Sequence, residues 1–166
     1  TQKFKKREGE LIHTESDSDG RYVKVIVKIG DSNYRILGIY APNKKKDQIQ
    51  FFKSFEDILK DNFDAENLIG GDYNCTQNPF IDRINCISNN NDPGLKELRE
   101  FIHKFDLEDI WRRRNPAKRK YTWFGPNDKA SRLDYWLTSV SLNGQIEKID
   151  SHYSPFSDHH GTQIMI

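Results

Sequence analysis

A mixed α/β domain with helices covering sheets is the fold class this sequence predicts, and three observations predict it. Residues 21–29, RYVKVIVKI, alternate strictly and are rich in β-branched side chains, the period of a strand. Ile49, Phe52, Phe55, Ile58, Leu59 and Phe63 recur at helical spacing, as do Leu95, Leu98, Phe101, Ile102 and Phe105. Around these lie short apolar runs of strand length, NLIGG, YTWF and RLDYWL. The order is strands, helix, strand, helix, strands.

Each element has its own signal. Residues 1–20 are polar, with SDSDG a turn. In the strand 21–29, Tyr22, Lys24, Ile26 and Lys28 share one face; Val23, Val25, Val27 and Ile29 share the other. Asp31-Ser32-Asn33 turns the chain into a hairpin partner, YRILGIY, at 34–40, which Pro42 ends. A helix follows over about 46–62. NLIGG is a short buried strand, and 73–93 is a long polar loop of the kind that often carries function. It includes the low-complexity run Asn89-Asn90-Asn91. Asp92-Pro93 is a cap and first-turn pair for the second helix. YTWF (121–124) and RLDYWL (132–137) bracket a hairpin loop, GPNDKAS. Strands near 145–152 and 162–166 flank SPFSDHHG.

Composition narrows the classes. A chain of 166 residues suits one domain, 1–166, with a real core. Its 35% hydrophobic and 31% charged content is polar for a globular domain, yet ten Phe, seven Tyr and three Trp argue against disorder. A net charge of +1 leaves polyanion binding to local patches. Two cysteines, Cys75 and Cys86, make no disulfide framework and suit a reducing compartment. Asn74-Cys75-Thr76 has the form of a glycosylation sequon, but no secretory signal is read at the N-terminus. No apolar run has membrane-spanning length, so no membrane partner and an intracellular place, nucleus and cytoplasm, are expected.

Five constellations could carry chemistry. Asp72 and Asn74 follow the strand NLIGG, where ligands gather in open α/β sheets, or they form an Asx-rich turn. Ser157-Asp158-His159-His160 offers a hard oxygen ligand and an imidazole, or a polar loop; Asp158 and His159, as neighbours, do not pair with each other. In SRLDYWL, alternation puts Arg132, Asp134 and Trp136 on one face. An Asp there is costly unless paired, either to a His from another strand or to Arg132. Six of the nine residues from 112 to 120 are cationic, with aromatics at their flanks; this is a phosphate-backbone surface or a solvated helix end. Tyr40 and Asn43, in IYAPN, sit at a strand end beside a rigid proline.

IYAPN, GGDYN, YTWFGP, SRLDYWL and SDHH, in that order, resemble the endonuclease/exonuclease/phosphatase superfamily. Within it, DGRYVKV, NPFIDR and DLEDIWRRRNPAKRKYTWF are most similar to the apurinic-type endonuclease domain of LINE-type (non-LTR) retrotransposons. The resemblance runs from about Asp19 to the end. It implies a two-sheet β-sandwich flanked by helices (four layers, αββα) and an Mg²⁺-dependent endodeoxyribonuclease, with Mn²⁺ as a substitute. Such an enzyme nicks duplex DNA and leaves a 3′-hydroxyl primer for the reverse-transcriptase region of the same polyprotein. It further implies that Tyr40 contacts the scissile phosphate and that Asp72 orients or deprotonates water. Asn74 would fix Asp72 and the phosphate, Asp134 would orient His159, and His159 would stabilise the phosphorane oxygen. Asn43, Thr122, Ser131, Arg132, Arg112 and Arg119 fall on the DNA side, and Asp158 in the metal site. An abasic-site repair endonuclease, a superfamily phosphatase and a non-catalytic DNA-binding fragment are the alternatives.

One departure matters. The family's first strands, with an Asn and a Gln-Glu whose glutamate is the principal metal ligand, have no counterpart here; Glu8, Glu10 and Glu15 lie in no comparable context. The chain reads as the C-terminal two thirds of the family domain. Weakened cation affinity, exposed strand edges and weak or absent activity of the chain alone are the expectations.

Overall fold

The computed structural model describes residues 9–86 and 92–166; the Asn89–Asn91 run and Glu8 lie outside them. Its main sheet has six strands: β1 (Gly9–Ser16), β2 (Tyr22–Ile29), β3 (Ser32–Tyr40), β4 (Glu66–Asp72), β9 (Asp134–Ser139) and β6 (Leu107–Glu108), adjacent in that order. Only the β3–β4 pair is parallel. The connection between those two strands is the helix α1 (Lys45–Leu59). A second sheet pairs β10 (Lys148–His152) with β11 (Gly161–Met165), and a small third one orders β5 (Arg83–Ile84), β8 (Lys129–Ser131) and β7 (Trp123–Gly125). The remaining α-helices among the described residues are α2 (Pro93–Lys104) and α3 (Ile110–Arg114).

Two cores flank the main sheet. On one face the phenylalanines Phe51, Phe52 and Phe55 of α1 and Phe101 of α2 pack on Leu37, Ile39, Ile69 and Leu137. On the other, Tyr34 and Leu68 meet Ile146, with Ile149 and Ile164 from the second sheet. The result is the expected sandwich of sheets flanked by helices. Helix α2 starts where the cap pair placed it: the Asp92 carboxylate accepts from the amides of Gly94 and Leu95, and Pro93 needs no partner.

Three local features lie outside what the local pattern shows. Residues 9–16 form a strand, although Leu11 and Ile12 are both exposed, because pairing with β2 and a bulge between Leu11 and His13 override a weak local pattern. Lys24, on the strand face it shares with Tyr22 and Ile26, is buried: its ammonium reaches Glu15 at 2.7 Å and the Ile58 carbonyl at 2.8 Å, so β1 and α1 close over it. YTWF does not pair with RLDYWL. The hairpin is β7–β8, in which Trp123 and Phe124 of YTWF pair with Ser131 and Ala130 at the end of GPNDKAS, while RLDYWL crosses into the main sheet as β9.

The glycines of LIGGDYN also acquire a physical role. Gly71 has φ +140°, and a Cβ on it would lie 2.1 Å from the Ile39 carbonyl oxygen. A Cβ on Gly70 would enter the Trp136 ring at 2.6 Å. What approaches closely is a neighbouring strand and a ring, not a substrate. Gly71→Ala is therefore expected to cost about 3 kcal/mol or more, combining a disfavoured φ with a backbone clash, as read by urea unfolding.

Candidate active site

Strand register assembles the site. Parallel β3 and β4 end together, with Tyr40 opposite Asp72, and antiparallel β9 begins beside them, with Asp72 opposite Asp134. Three side chains far apart in sequence thus share one row at the sheet's end, where ligands bind in open α/β sheets. The segment 157–160 is held beside that row: Phe124 N–H donates to the Asp158 carbonyl at 3.0 Å, and His160 N–H to the Thr122 carbonyl at 2.7 Å. An open cleft of about 650 Å³ lies between, lined by Tyr40, Asn43, Asp72, Asn74, Trp123, Asp134, Asp158 and His159.

Within it lie two polar pairs. His159 Nδ1 lies 2.9 Å from Asp134 Oδ2. The pairing predicted between Asp134 and a His from another strand is present, and Arg132 is not its partner. Alongside, the Asn74 amide donates to Asp72 Oδ1 at 2.8 Å and its side-chain Nδ2 to Asp72 Oδ2 at 3.1 Å. Asn74 Nδ2 also reaches the Ala41 carbonyl at 2.8 Å, and the residue adopts φ +46°, the left-handed conformation that Asn tolerates. The Asx turn and the functional placement are therefore one structure, not alternatives.

The electrostatics follow from burial of like charges. Burial pushes the Asp72 carboxyl up to about 6; the Asn74 amide opposes this, the nearby Asp134 charge adds to it, and His159 lowers it. Burial also raises Asp134, against the bonds from Thr122 and His159. For His159 burial acts downward but is outweighed by the Asp134 bond and the charges of Asp134, Asp72 and Asp158, so its net shift is upward. The shift favours the cationic form of His159 relative to a free imidazole, while Asp72 is ionised at neutral pH yet close to its titration. A donor biased towards its charged form and a poised base stand side by side in one cleft.

Asp72, Asp134 and His159 place ligand atoms within 4.8 Å of one another. Two partly buried carboxylates whose ionisation is disfavoured chiefly by burial are the demand that a divalent cation satisfies. The donor set fits such an ion. Asp158 lies on the cleft with Oδ2 accepting from Trp123 Nε1 at 2.9 Å. Glu15 is remote from the site, bound to Lys24 and Tyr22.

Not every expected DNA-side residue reaches the cleft. Asn43 does, and Tyr40 is half exposed with the Arg21 guanidinium over its ring. Thr122 is buried beneath, its hydroxyl accepting from the amides of Leu133 and Asp134. Ser131 and Arg132 are also buried, and Arg132 is bound to Asp109, so their expected surface role gives way to a scaffold role. Within the cationic run, Arg112 pairs with Asp82 and donates to the Asn115 and Lys118 carbonyls. Arg113 pairs with Glu108, Arg114 caps the Ile146 carbonyl and Lys120 pairs with Asp150. Helix α3 has only five residues, and the irregular chain after it leaves carbonyls for these donors to fill; Lys118 and Arg119 stay exposed. Trp123 was not among the expected site residues. Its signal was the alternation of YTWF, which turns Trp123 to the face opposite Thr122 and Phe124.

No family model matches the chain. By sequence it is 29% identical over 154 residues, 90% of its length, to the Transposon TX1 uncharacterized 149 kDa protein of Xenopus laevis, of which it spans 12%. By structure it is similar to the AP endonuclease LMAP from Leishmania major, with a TM-score of 0.68 and 14% identity, covering 89% of this chain and 55% of that one. The 3′ phosphatase NExo from Neisseria, solved with a product DNA hairpin, gives 0.66 at 16% identity, covering 90% and 65%. The Xenopus laevis APE2 catalytic domain gives 0.61 at 21% identity, covering 88% and 57%. The chain has the fold of the endonuclease/exonuclease/phosphatase proteins and is similar in sequence to a transposon polypeptide.

Proposed function

We propose that the chain is an Mg²⁺-dependent endonuclease domain of a LINE-type retrotransposon. It hydrolyses one phosphodiester of duplex DNA in the nucleus or cytoplasm and leaves a 3′-hydroxyl for the reverse-transcriptase region of the same polyprotein. The observation that carries this reading is the Asp134–His159 pair beside the Asn74-bound Asp72 in an open cleft. The transposon relative supports the retroelement branch over a repair role.

In this reading each residue has one task. Asp72, held by two Asn74 donors, orients a water and takes its proton. His159, biased towards its cationic form by Asp134, donates to the non-bridging oxygens as negative charge grows on the phosphorane. Asn74, Asn43 and Tyr40 position the phosphate along the cleft. Asp72, Asp134 and Asp158 would hold Mg²⁺, which when bound supplies Lewis-acid stabilisation to the phosphate and the leaving 3′-oxygen. Thr122 acts from below by holding the start of β9, and with it Asp134, in place.

The test is nicking of supercoiled plasmid by the 166-residue chain. Slow nicking that rises with millimolar Mg²⁺ and stops with EDTA is expected, with product ends that a DNA polymerase extends. Nicking indifferent to EDTA overturns the proposal, and complete absence of nicking moves it to the non-catalytic DNA-binding alternative. A marked preference for an abasic oligonucleotide over intact duplex would move it to the repair alternative. No helix among the described residues is long and apolar enough to cross a membrane.

A further inference from the structure

We propose that Gln48 is a positioning residue of this site: its buried carboxamide ties together the two loops that carry Asn43 and Asn74. This rests on the nuclease reading above. Gln48 lies in the first turn of α1 and is fully buried. Its Nε2 has three carbonyl acceptors: Asn74 at 3.0 Å, Pro42 at 3.2 Å and Tyr73 at 3.3 Å. Two of these belong to the loop after β4 and one to the loop after β3, so one amide group bridges both cleft-lining segments.

The amide is itself fixed from the other side. Its Oε1 accepts from Lys45 Nζ at 2.9 Å, and that ammonium pairs with Asp92 Oδ2 at 2.6 Å. Gly94, in the first turn of α2, leaves the space: a Cβ there would lie 2.1 Å from Gln48 Oε1. Both helix starts therefore press on one carboxamide whose hydrogens point at the site's loops. A residue recruited only to fill the core would not be an amide, since each unpaired polar atom at such depth is costly.

The consequence for chemistry is geometric. Asn74 sits in a left-handed conformation that the Gln48 bond to its carbonyl helps to hold. Its amide and Nδ2 in turn aim Asp72. The Ala41 amide, donating to the Asp72 carbonyl at 2.8 Å, joins the same two loops beside it. Releasing the carboxamide lets the loops part, and a misplacement of about 1 Å can cost on the order of 100-fold in rate.

The test uses Gln48→Met, which keeps the length and removes the donors, and Gln48→Glu, which keeps the oxygen facing Lys45. Nicking is expected to fall about 30-fold in kcat with KM for plasmid changed less than about 3-fold, per folded molecule. Independently of activity, hydrogen exchange at the Ala41 and Asn74 amides is expected to speed up at least about 10-fold, with exchange in β9 unchanged. Unaltered exchange at those two amides, or a lowered melting temperature with unchanged kcat, overturns the positioning role. Should Gln48→Met not fold, Lys45→Met, at a half-exposed position, must give the same pattern in weaker form; unaltered exchange there overturns the proposal as well. Altered exchange in a chain whose wild type never nicks would sink the nuclease reading while leaving the tie between the loops standing.

Discussion

His159→Ala is expected to lower the rate of Mg²⁺-dependent nicking by about 1000-fold, because it removes the donor aimed at the charge that develops on the phosphate. Asp134→Ala should cost less on its own, since the imidazole remains but loses its orienting partner at 2.9 Å and its cationic bias. At saturating Mg²⁺, where any share of Asp134 in holding the ion is made up, the double variant should be no slower than His159→Ala alone, as residues that act as one unit are not additive. Additive losses would show that Asp134 works separately from His159. Asp72 supplies the pH dependence. With its carboxyl pushed up to about 6, chiefly by burial, the wild-type rate should rise as pH passes through that value.

The same shift has a stability consequence of opposite sense. An unfolded Asp titrates near about 3.9. Between that pH and about 6 the native state holds the proton more tightly than the unfolded chain, so native stability falls as pH rises through this window. Asp72→Asn should accordingly abolish nicking yet unfold at higher urea than the wild type at pH 7.5. The advantage should shrink towards pH 4 and vanish below it. An Asp72→Asn chain less stable than the wild type at pH 7.5 would mean that the Asn74 bonds outweigh burial and the repulsion from Asp134.

What could be read from the residues was what lies within one strand or one helix turn. Asp72 and Asn74 are two apart on a strand end, and Asp134 stands out as a carboxylate in an aromatic strand, so both were visible. His159 was visible through its motif. The parallel register that sets Tyr40 beside Asp72 is a property of the β3–α1–β4 crossover and has no local signature. Arg132 and Arg112 were expected on the DNA side because their partners, 23 and 30 residues away, leave no local sign. Long side chains satisfied by distant carbonyls and carboxylates look, in sequence, like solvated charge. Gln48 was invisible for the same reason: all three of its acceptors are backbone carbonyls. Strand β1 was missed because its two adjacent apolar residues straddle a bulge, which breaks the period on which strand recognition depends.

The buried charges behind the cleft carry the largest expected effect on stability. Arg132 binds Asp109 through two bonds, at 2.7 and 2.8 Å, with its guanidinium over the rings of Trp111 and Tyr135. Asp109 also caps α3 through the Arg112 amide at 3.0 Å and accepts from Gln77. Asp82, fully buried, is paired with Arg112 and lies 4.0 Å from Arg132. Two cations and two carboxylates thus neutralise one another, and the Arg132 amide donates to the Asp82 carbonyl at 2.8 Å. Arg132→Met would leave Asp109 without its cation in a site that water does not reach. The expected loss is about 3–5 kcal/mol, read as an earlier urea midpoint with an unchanged slope. Arg132→Lys should recover little of it, because an ammonium cannot match a bidentate carboxylate or stack between two rings. Arg132→Met combined with Asp109→Leu should be more stable than Arg132→Met alone, since no charge is then stranded. Two residues beyond Arg132 stands Asp134, so the loss should extend to the site. Nicking by Arg132→Met, measured where the chain remains folded, should fall with the alignment of β9 rather than through any lost contact to DNA. A variant that stays stable but loses DNA affinity would instead place Arg132 on the substrate.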